Sequence, residues 1–148
     1  MPLAKGDAAP SVVVRGAAAD VALPCPSVPN VLFFYPTNQG RTCVTEIADF
    51  DARLNEFASI GVKVFGVTTE DISEVVALKE AKSFSVPLCF DPSGKASELY
   101  GVRNAYGYSD RYTFAISSKG VVLFVWQAYD TVGHAQAVLE FCRNAALG

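Results

Sequence analysis

Four cysteines, at positions 25, 43, 89 and 142, and a single histidine at 134 are the residues of this chain best suited to nucleophilic or redox chemistry. The cysteines are far apart, with no C-x-x-C pair and no Cys/His pair at zinc spacing, which argues against a structural metal site. Each thiol must therefore be read by its own surroundings. Cys43 allows two readings. It shares a three- and four-residue apolar period with Ile47, Phe50, Leu54 and Phe57, and free cysteine is among the most buried residue types. It also stands where a helix begins, just past the end of the strand-like run "VLFFY". Unpaired N–H groups at a helix start favour a thiolate over a thiol, and open α/β sheets bind ligands beyond the ends of their strands. Arg41 can add positive potential there, or can equally be a solvated surface residue.

The other candidates read more plainly. Cys142 lies on the apolar stripe of the last helix and Cys89 sits between Leu88 and Phe90, so both read as core residues. Cys25, between Pro24 and Pro26, is the thiol expected to be exposed: a bystander or a partner for another cysteine. His134 has no nucleophile signature beside it and reads as a surface histidine rather than a catalytic base. "DPSGKAS" has the Gly-Lys pair of a phosphate loop but lacks the upstream glycine, and is simpler as a turn.

The elements that must position these residues follow from hydrophobic period and turn signals. "SVVV" (11–14) is a short strand, and the three prolines of "LPCPSVPN" mark an irregular connection. "VLFFY" (31–35) is apolar throughout, as expected for a strand buried on both faces. A helix is predicted from Thr42 until Gly61 stops it, then a second buried strand, "VKVFGVTT" (62–69). "DISEVVALKEAKSF" is a helix with Asp71 as its cap, "PLCF" a short strand and "ASELYG" a brief helix. "RYTFAIS" and "VVLFVW", joined by "SKG", form a hairpin, and "DTVGHAQAVLEFCRNAAL" closes the chain as a helix. Parallel βαβ units followed by an antiparallel hairpin predict an α/β fold of thioredoxin-like arrangement. Its central mixed sheet is flanked by helices, with an N-terminal β extension.

The bulk properties narrow the function. With 148 residues, 51% hydrophobic and 18% charged, the chain fits one globular domain. A net charge of −3 without any basic cluster excludes nucleic acid and anionic membrane as natural partners. No apolar run approaches the length of a membrane span, and Asp7 and Pro10 break up the N-terminus before a signal-peptide core can form. A cytoplasmic location is the expectation.

Taken together and in order, several segments resemble the peroxiredoxins, and within them the bacterioferritin-comigratory (Q-type) branch. These are "KGDAAP", "VLFFYP" ahead of Cys43 with Glu46 three residues beyond it, "VKVFGVTTED", "VPLCFDPSGKASELYGV" and "RYTFAISSKGVV". The resemblance implies a thiol-dependent peroxidase in which Cys43 attacks a hydroperoxide and becomes a sulfenic acid. It implies that Arg111 and the helix-start N–H groups stabilise the developing anion and that Pro36 shields the thiolate. It implies no metal or organic cofactor. An external thiol, thioredoxin or a small molecule, would recycle the enzyme, which is expected to be a monomer or homodimer.

Two positions depart from the family pattern. The motif hydroxyl, three residues before the cysteine, is replaced by Gly40, leaving Thr42 or Thr37 as substitutes unless Thr42 caps the helix. The resolving cysteine often found five residues after the first is Ala48 here. Resolution then falls to Cys25 or Cys142, or to a one-cysteine mechanism. The departure at Gly40 keeps open a second function, a redox sensor or binding module with weak turnover. A thioredoxin-type disulfide reductase is disfavoured, because Cys43-Val44-Thr45-Glu46 has no second cysteine.

Overall fold

The computed structural model describes residues 1–127 and 131–148. Seven strands form one mixed sheet among the described residues: β1 (Val12–Arg15), β2 (Asp20–Leu23), β3 (Asn30–Phe34), β4 (Lys63–Thr68), β5 (Leu88–Phe90), β6 (Tyr112–Ile116) and β7 (Val122–Gln127). Their spatial order is β2-β1-β5-β4-β3-β6-β7. β3, β4 and β5 run parallel, and β6 and β7 add an antiparallel hairpin beside β3. The helices are α1 (Arg41–Ala52), α2 (Leu54–Ser59), α3 (Ile72–Lys82), α4 (Lys95–Leu99) and α5 (His134–Asn144). This is the thioredoxin-like arrangement expected from the pattern of elements. None of the described helices is long and apolar enough to cross a membrane.

Strand alternation divides the core into two faces. Val31, Phe33 and Tyr35 point to one side, where α1, α2, α3 and α5 bury Cys43, Ile47, Phe50, Phe57, Val75, Val138 and Cys142. Leu32 and Phe34 point to the other, which holds Val14, Leu23, Phe65, Cys89, Tyr100 and Phe114. On the first face the Phe33 and Phe50 rings stack with centroids 4.5 Å apart. Gly66 makes room for that stack: a Cβ there would lie 2.6 Å from Phe33 Cζ and 2.7 Å from Leu88 Cδ2.

The structure departs from the predicted elements in four places. β2 lies outside the predicted elements, and Leu23, within the predicted irregular connection, ends that strand paired with Val12. Only from Pro24 is the chain irregular, and there Asn30 accepts from the Cys25 N–H and donates to the Cys25 carbonyl, closing the loop. The helix predicted from Thr42 starts one residue earlier and breaks at Arg53 (φ −108°, ψ 7°), so that α1 and α2 are separate. Arg53 donates from Nη1 to the Asp49 carbonyl and from Nε to Gln136 Oε1, tying the break to α5. The third helix ends at Ser83, whose left-handed backbone (φ 56°) turns the chain before Phe84. Finally, α5 begins at His134 after Gly133 (φ 75°); its predicted start at Asp130 lies outside the described residues.

Phe50 joins the helical layer to the site, with its ring against Phe33, Phe57 and His134. Replacing it with alanine leaves a cavity at that junction. We expect Phe50→Ala to lower unfolding stability by about 3–5 kcal/mol, read from urea denaturation.

Candidate active site

The site grows from the end of β3. Tyr35 still pairs, donating its N–H to the Val67 carbonyl, and Pro36 then ends the ladder. The next four residues form a loop held by Glu70. Thr37 donates its hydroxyl to Glu70 Oε2 at 2.9 Å, and Asn38 donates its side-chain amide to Oε1 at 3.0 Å and its backbone N–H to the same oxygen. The Tyr35 hydroxyl donates to Asn38 Oδ1 at 2.8 Å, closing the loop from inside. Gly40 is the N-cap of α1 and offers no side chain to the first turn, so Cys43, third in the helix, sits among uncapped N–H groups.

Arg111 completes the arrangement. It directly precedes β6, whose Tyr112 pairs with Phe34, and this register carries it to the end of β3 beside the cysteine. Its Nη2 donates to Cys43 Sγ at 3.1 Å, and its Nη1 donates to Glu46 Oε1 at 3.0 Å. One guanidinium thus ties a thiol to a carboxylate one helical turn away. Burial disfavours the Arg111 cation, but its bonds to Cys43 and the charge of Glu46 more than offset this and raise its pKa.

Behind Arg111 lies a polar cluster inside the core. Glu46 is 1% exposed, and burial pushes its carboxyl up to about 7 against the opposing pull of Arg111. His134 Nε2 stands 2.8 Å from Thr113 Oγ1 and 3.9 Å from Glu46 Oε2. Burial, with the nearby Arg111 charge, lowers the histidine to about 4, so it is neutral at neutral pH. The expectation of a surface histidine is therefore corrected: His134 is buried against Phe50 and Trp126. Its place on the Ala135, Val138 and Cys142 stripe was the sequence signal for burial. Glu46, three residues after Cys43 on an apolar helix face, carried a similar signal. Thr113 and Glu70 carried none that sequence reading could use.

The remaining candidates are distributed as follows. Pro36 is half-buried and, with Thr37, Glu70 and Tyr108, lines an open cavity of about 480 Å³ beside the loop. Thr42 is exposed at the second position of α1 and is not its cap, because the helix starts at Arg41. The side chain neighbouring Gly40 is Thr37: a Cβ on Gly40 would meet Thr37 Cγ2 at 3.1 Å and Cys43 Sγ at 3.6 Å. Cys142 is buried on the Cys43 face, and burial pushes its thiol up to about 11. Cys89 lies on the opposite face, pushed up to about 12 by burial. Cys25 also packs on that opposite face and is half-buried rather than exposed.

Comparison with known proteins fits this geometry. The family described as AhpC/TSA matches residues 6–137. The chain belongs to it. Peroxiredoxin Bcp of Xanthomonas campestris is 33% identical over 116 residues, covering 74% of this chain and 72% of that protein. The crystal structure of peroxidoxin BcpB from Mycobacterium tuberculosis superposes with a TM-score of 0.88 at 26% identity, covering 97% of this chain and 99% of that one. The bacterioferritin comigratory protein of X. campestris, studied for its alkyl peroxide reduction activity, gives 0.83 at 26% identity over 89% of this chain and 90% of that chain. The chain is thus a peroxiredoxin, of the thiol-dependent peroxidase class, and its relatives carry the Bcp and Q-type names.

The buried carboxyl of this peroxiredoxin makes its stability depend on pH. Glu46 binds its proton more tightly folded (about 7) than unfolded (4.5), so its contribution is complete below pH 4.5 and lost as pH rises through 7. His134 acts in the opposite sense: its folded value, about 4, lies below the unfolded 6.5, and stability falls as pH drops from 6.5 toward 4. Between pH 4.5 and 6.5 the two nearly cancel. Glu46→Gln removes one of them. We expect its stability relative to wild type to improve by on the order of 3 kcal/mol between pH 4.5 and 8, measured by denaturation across pH.

Proposed function

We propose that this protein reduces hydrogen peroxide or organic hydroperoxides with Cys43 as the attacking thiol. The observation that carries this reading is Arg111, which donates to Cys43 Sγ and to Glu46 with the two ends of one guanidinium. The Cys43 thiolate attacks the terminal oxygen of the hydroperoxide; an S–O bond forms as the O–O bond breaks. The electron pair leaves on the other oxygen, which takes a proton and departs as water or alcohol. Sulfur is oxidised to a sulfenic acid and the peroxide is reduced. Arg111 and the open N–H groups of α1 supply donors where negative charge develops. Pro36 shields the sulfur and, lacking an N–H, does not compete for it.

An external thiol then attacks the sulfenic sulfur and releases water. A second thiol frees Cys43 as a disulfide forms. Thioredoxin or a small thiol fits this role, in a cytoplasmic setting where both are kept reduced. A one-cysteine cycle is favoured over internal resolution. Cys25 packs on the far face of the sheet, and Cys142, on the near face, is buried in the core. We take the chain to act as a single domain, as a monomer or homodimer.

Gly40 supports the second reading, a redox sensor with slow turnover. The substitutes for its missing hydroxyl are poorly placed: Thr37 is committed to Glu70, and Thr42 is exposed. The two readings separate when peroxide loss is followed with thioredoxin and its reductase, or with dithiothreitol. Catalytic loss abolished in Cys43→Ser supports the peroxidase, stoichiometric oxidation of Cys43 without turnover supports the sensor, and an inert Cys43 excludes both. Because Gly40 has an extended backbone (φ −75°, ψ 135°), a side chain there needs no strained conformation. Gly40→Ser places a hydroxyl beside Sγ, and we expect it to raise the rate constant of Cys43 oxidation by about tenfold or more. An unchanged or lower rate would mean that the site does not lack that hydroxyl.

A further inference from the structure

The cluster behind Arg111 is larger than a counter-charge requires. Glu46 uses one oxygen for Arg111; its other oxygen, Oε2, is the buried side-chain atom without a hydrogen-bond partner among the described residues. A buried acceptor left in this state is costly. His134 Nε2 stands 3.9 Å from it but is engaged at 2.8 Å by Thr113 Oγ1. Thr113 follows Arg111 by two residues and shares its side of β6, so the strand that delivers the guanidinium also delivers the hydroxyl. α5 supplies the imidazole at its first residue, and the rings of Phe50 and Trp126 fix its plane.

We propose that His134 and Thr113 are positioning residues for Glu46, and that Glu46 in turn sets how much of the Arg111 charge reaches Cys43. This rests on the reading of Cys43 as the peroxide-attacking thiol. His134 Nε2 is held at 2.8 Å by the threonine oxygen and lies 3.9 Å from the unpaired Glu46 Oε2, too far for a hydrogen bond but near enough for its dipole to act on the carboxylate. When Glu46 is charged it takes a larger share of the Arg111 cation, and the sulfur a smaller one. When Glu46 holds a proton, the cation faces Cys43 alone. The groups facing Glu46 are few: Cys43 and Asp49 from its own helix, Arg111 from the start of β6, His134 from α5 and the Tyr35 hydroxyl past the end of β3. Tyr35 is held neutral by burial, and Asp49 opposes the Glu46 charge. Arg111 is therefore the cation that favours it, and His134 Nε2 is the polar group 3.9 Å from its unpaired oxygen.

The test reads Glu46 directly. In full-length protein carrying ¹³C-labelled glutamate, its carboxyl resonance is identified by its loss in Glu46→Gln and followed by NMR across pH, while the rate constant of Cys43 oxidation by hydrogen peroxide is measured on the same samples. His134→Leu removes the imidazole 3.9 Å from Oε2 and should raise the Glu46 midpoint by up to about one pH unit, less than a full hydrogen bond to a charged group would give. Thr113→Val, nearly isosteric, frees the imidazole for Glu46 and should lower the midpoint. His134→Gln, which can donate to both partners, should bring it back near the wild-type value. The bend in the pH–rate profile should move with each midpoint. A midpoint unmoved by both Leu and Val, or moved the same way, would show mere packing and overturn the proposal. So would a midpoint that moves while the rate profile does not. If Cys43 reacts with no peroxide, the peroxidase reading fails, and with it the link to Cys43. The opposite shifts in Leu and Val would then still establish the link from His134 to Glu46. Thr113→Val and His134→Gln decide the outcome if His134→Leu does not fold.

Discussion

A largely buried guanidinium can be kept in a protein interior only if its donors are matched, because an unpaired charge there is among the costliest features a fold can carry. Arg111, with a side chain 15% exposed, meets that demand by donating to a thiol and to a carboxylate at once. Much of the architecture around it serves this pairing. The β3–β6 register sets where Arg111 emerges. The start of α1 places Cys43, and the helix repeat places Glu46 one turn on, on the same face. α5 closes the cluster with His134. A slip of one residue between β3 and β6 would turn Arg111 to the other face of the sheet and leave Glu46 buried without its cation.

The parts of this arrangement that could be read in advance were those with local signals. The continuous apolar run of β3, the turn after it and the three- and four-residue stripe of α1 marked a thiol at a helix start beyond a central strand. The order of motifs pointed to the family. What escaped was of two kinds. β2 is four residues with a single buried side chain, Leu23, and its pairing with β1 is a tertiary fact rather than a period. The break at Arg53 was hidden because the apolar stripe continues through it, and what decides it is a hydrogen bond to Gln136, 83 residues away. His134 and Thr113 meet across 21 residues, and Thr37 and Glu70 across 33. A lone polar residue on an apolar stripe looks like an exception at the surface until its partner from another element is known.

We propose that Gly40 separates family membership from efficiency. Its backbone is extended, so no conformational demand explains the glycine. The departure is chemical: one hydroxyl is missing, at a position whose Cβ would face Sγ. The loop keeps its shape regardless, because Glu70 holds Thr37 and Asn38 from outside the motif. A thiol held by Arg111 at a helix start can therefore coexist with reduced turnover, and this geometry alone does not separate a fast peroxidase from a slow sensor.

We propose that Arg111 works by serving two partners, not merely by being positive. Arg111→Lys tests it most directly, because lysine keeps the charge but replaces the planar fork with a single ammonium. The measurement is the second-order rate constant for oxidation of Cys43 by hydrogen peroxide, by stopped flow at neutral pH. A loss of about a hundredfold is expected, the usual size when one well-aimed donor is removed. A rate within a few-fold of wild type would contradict it, showing that any nearby positive charge suffices.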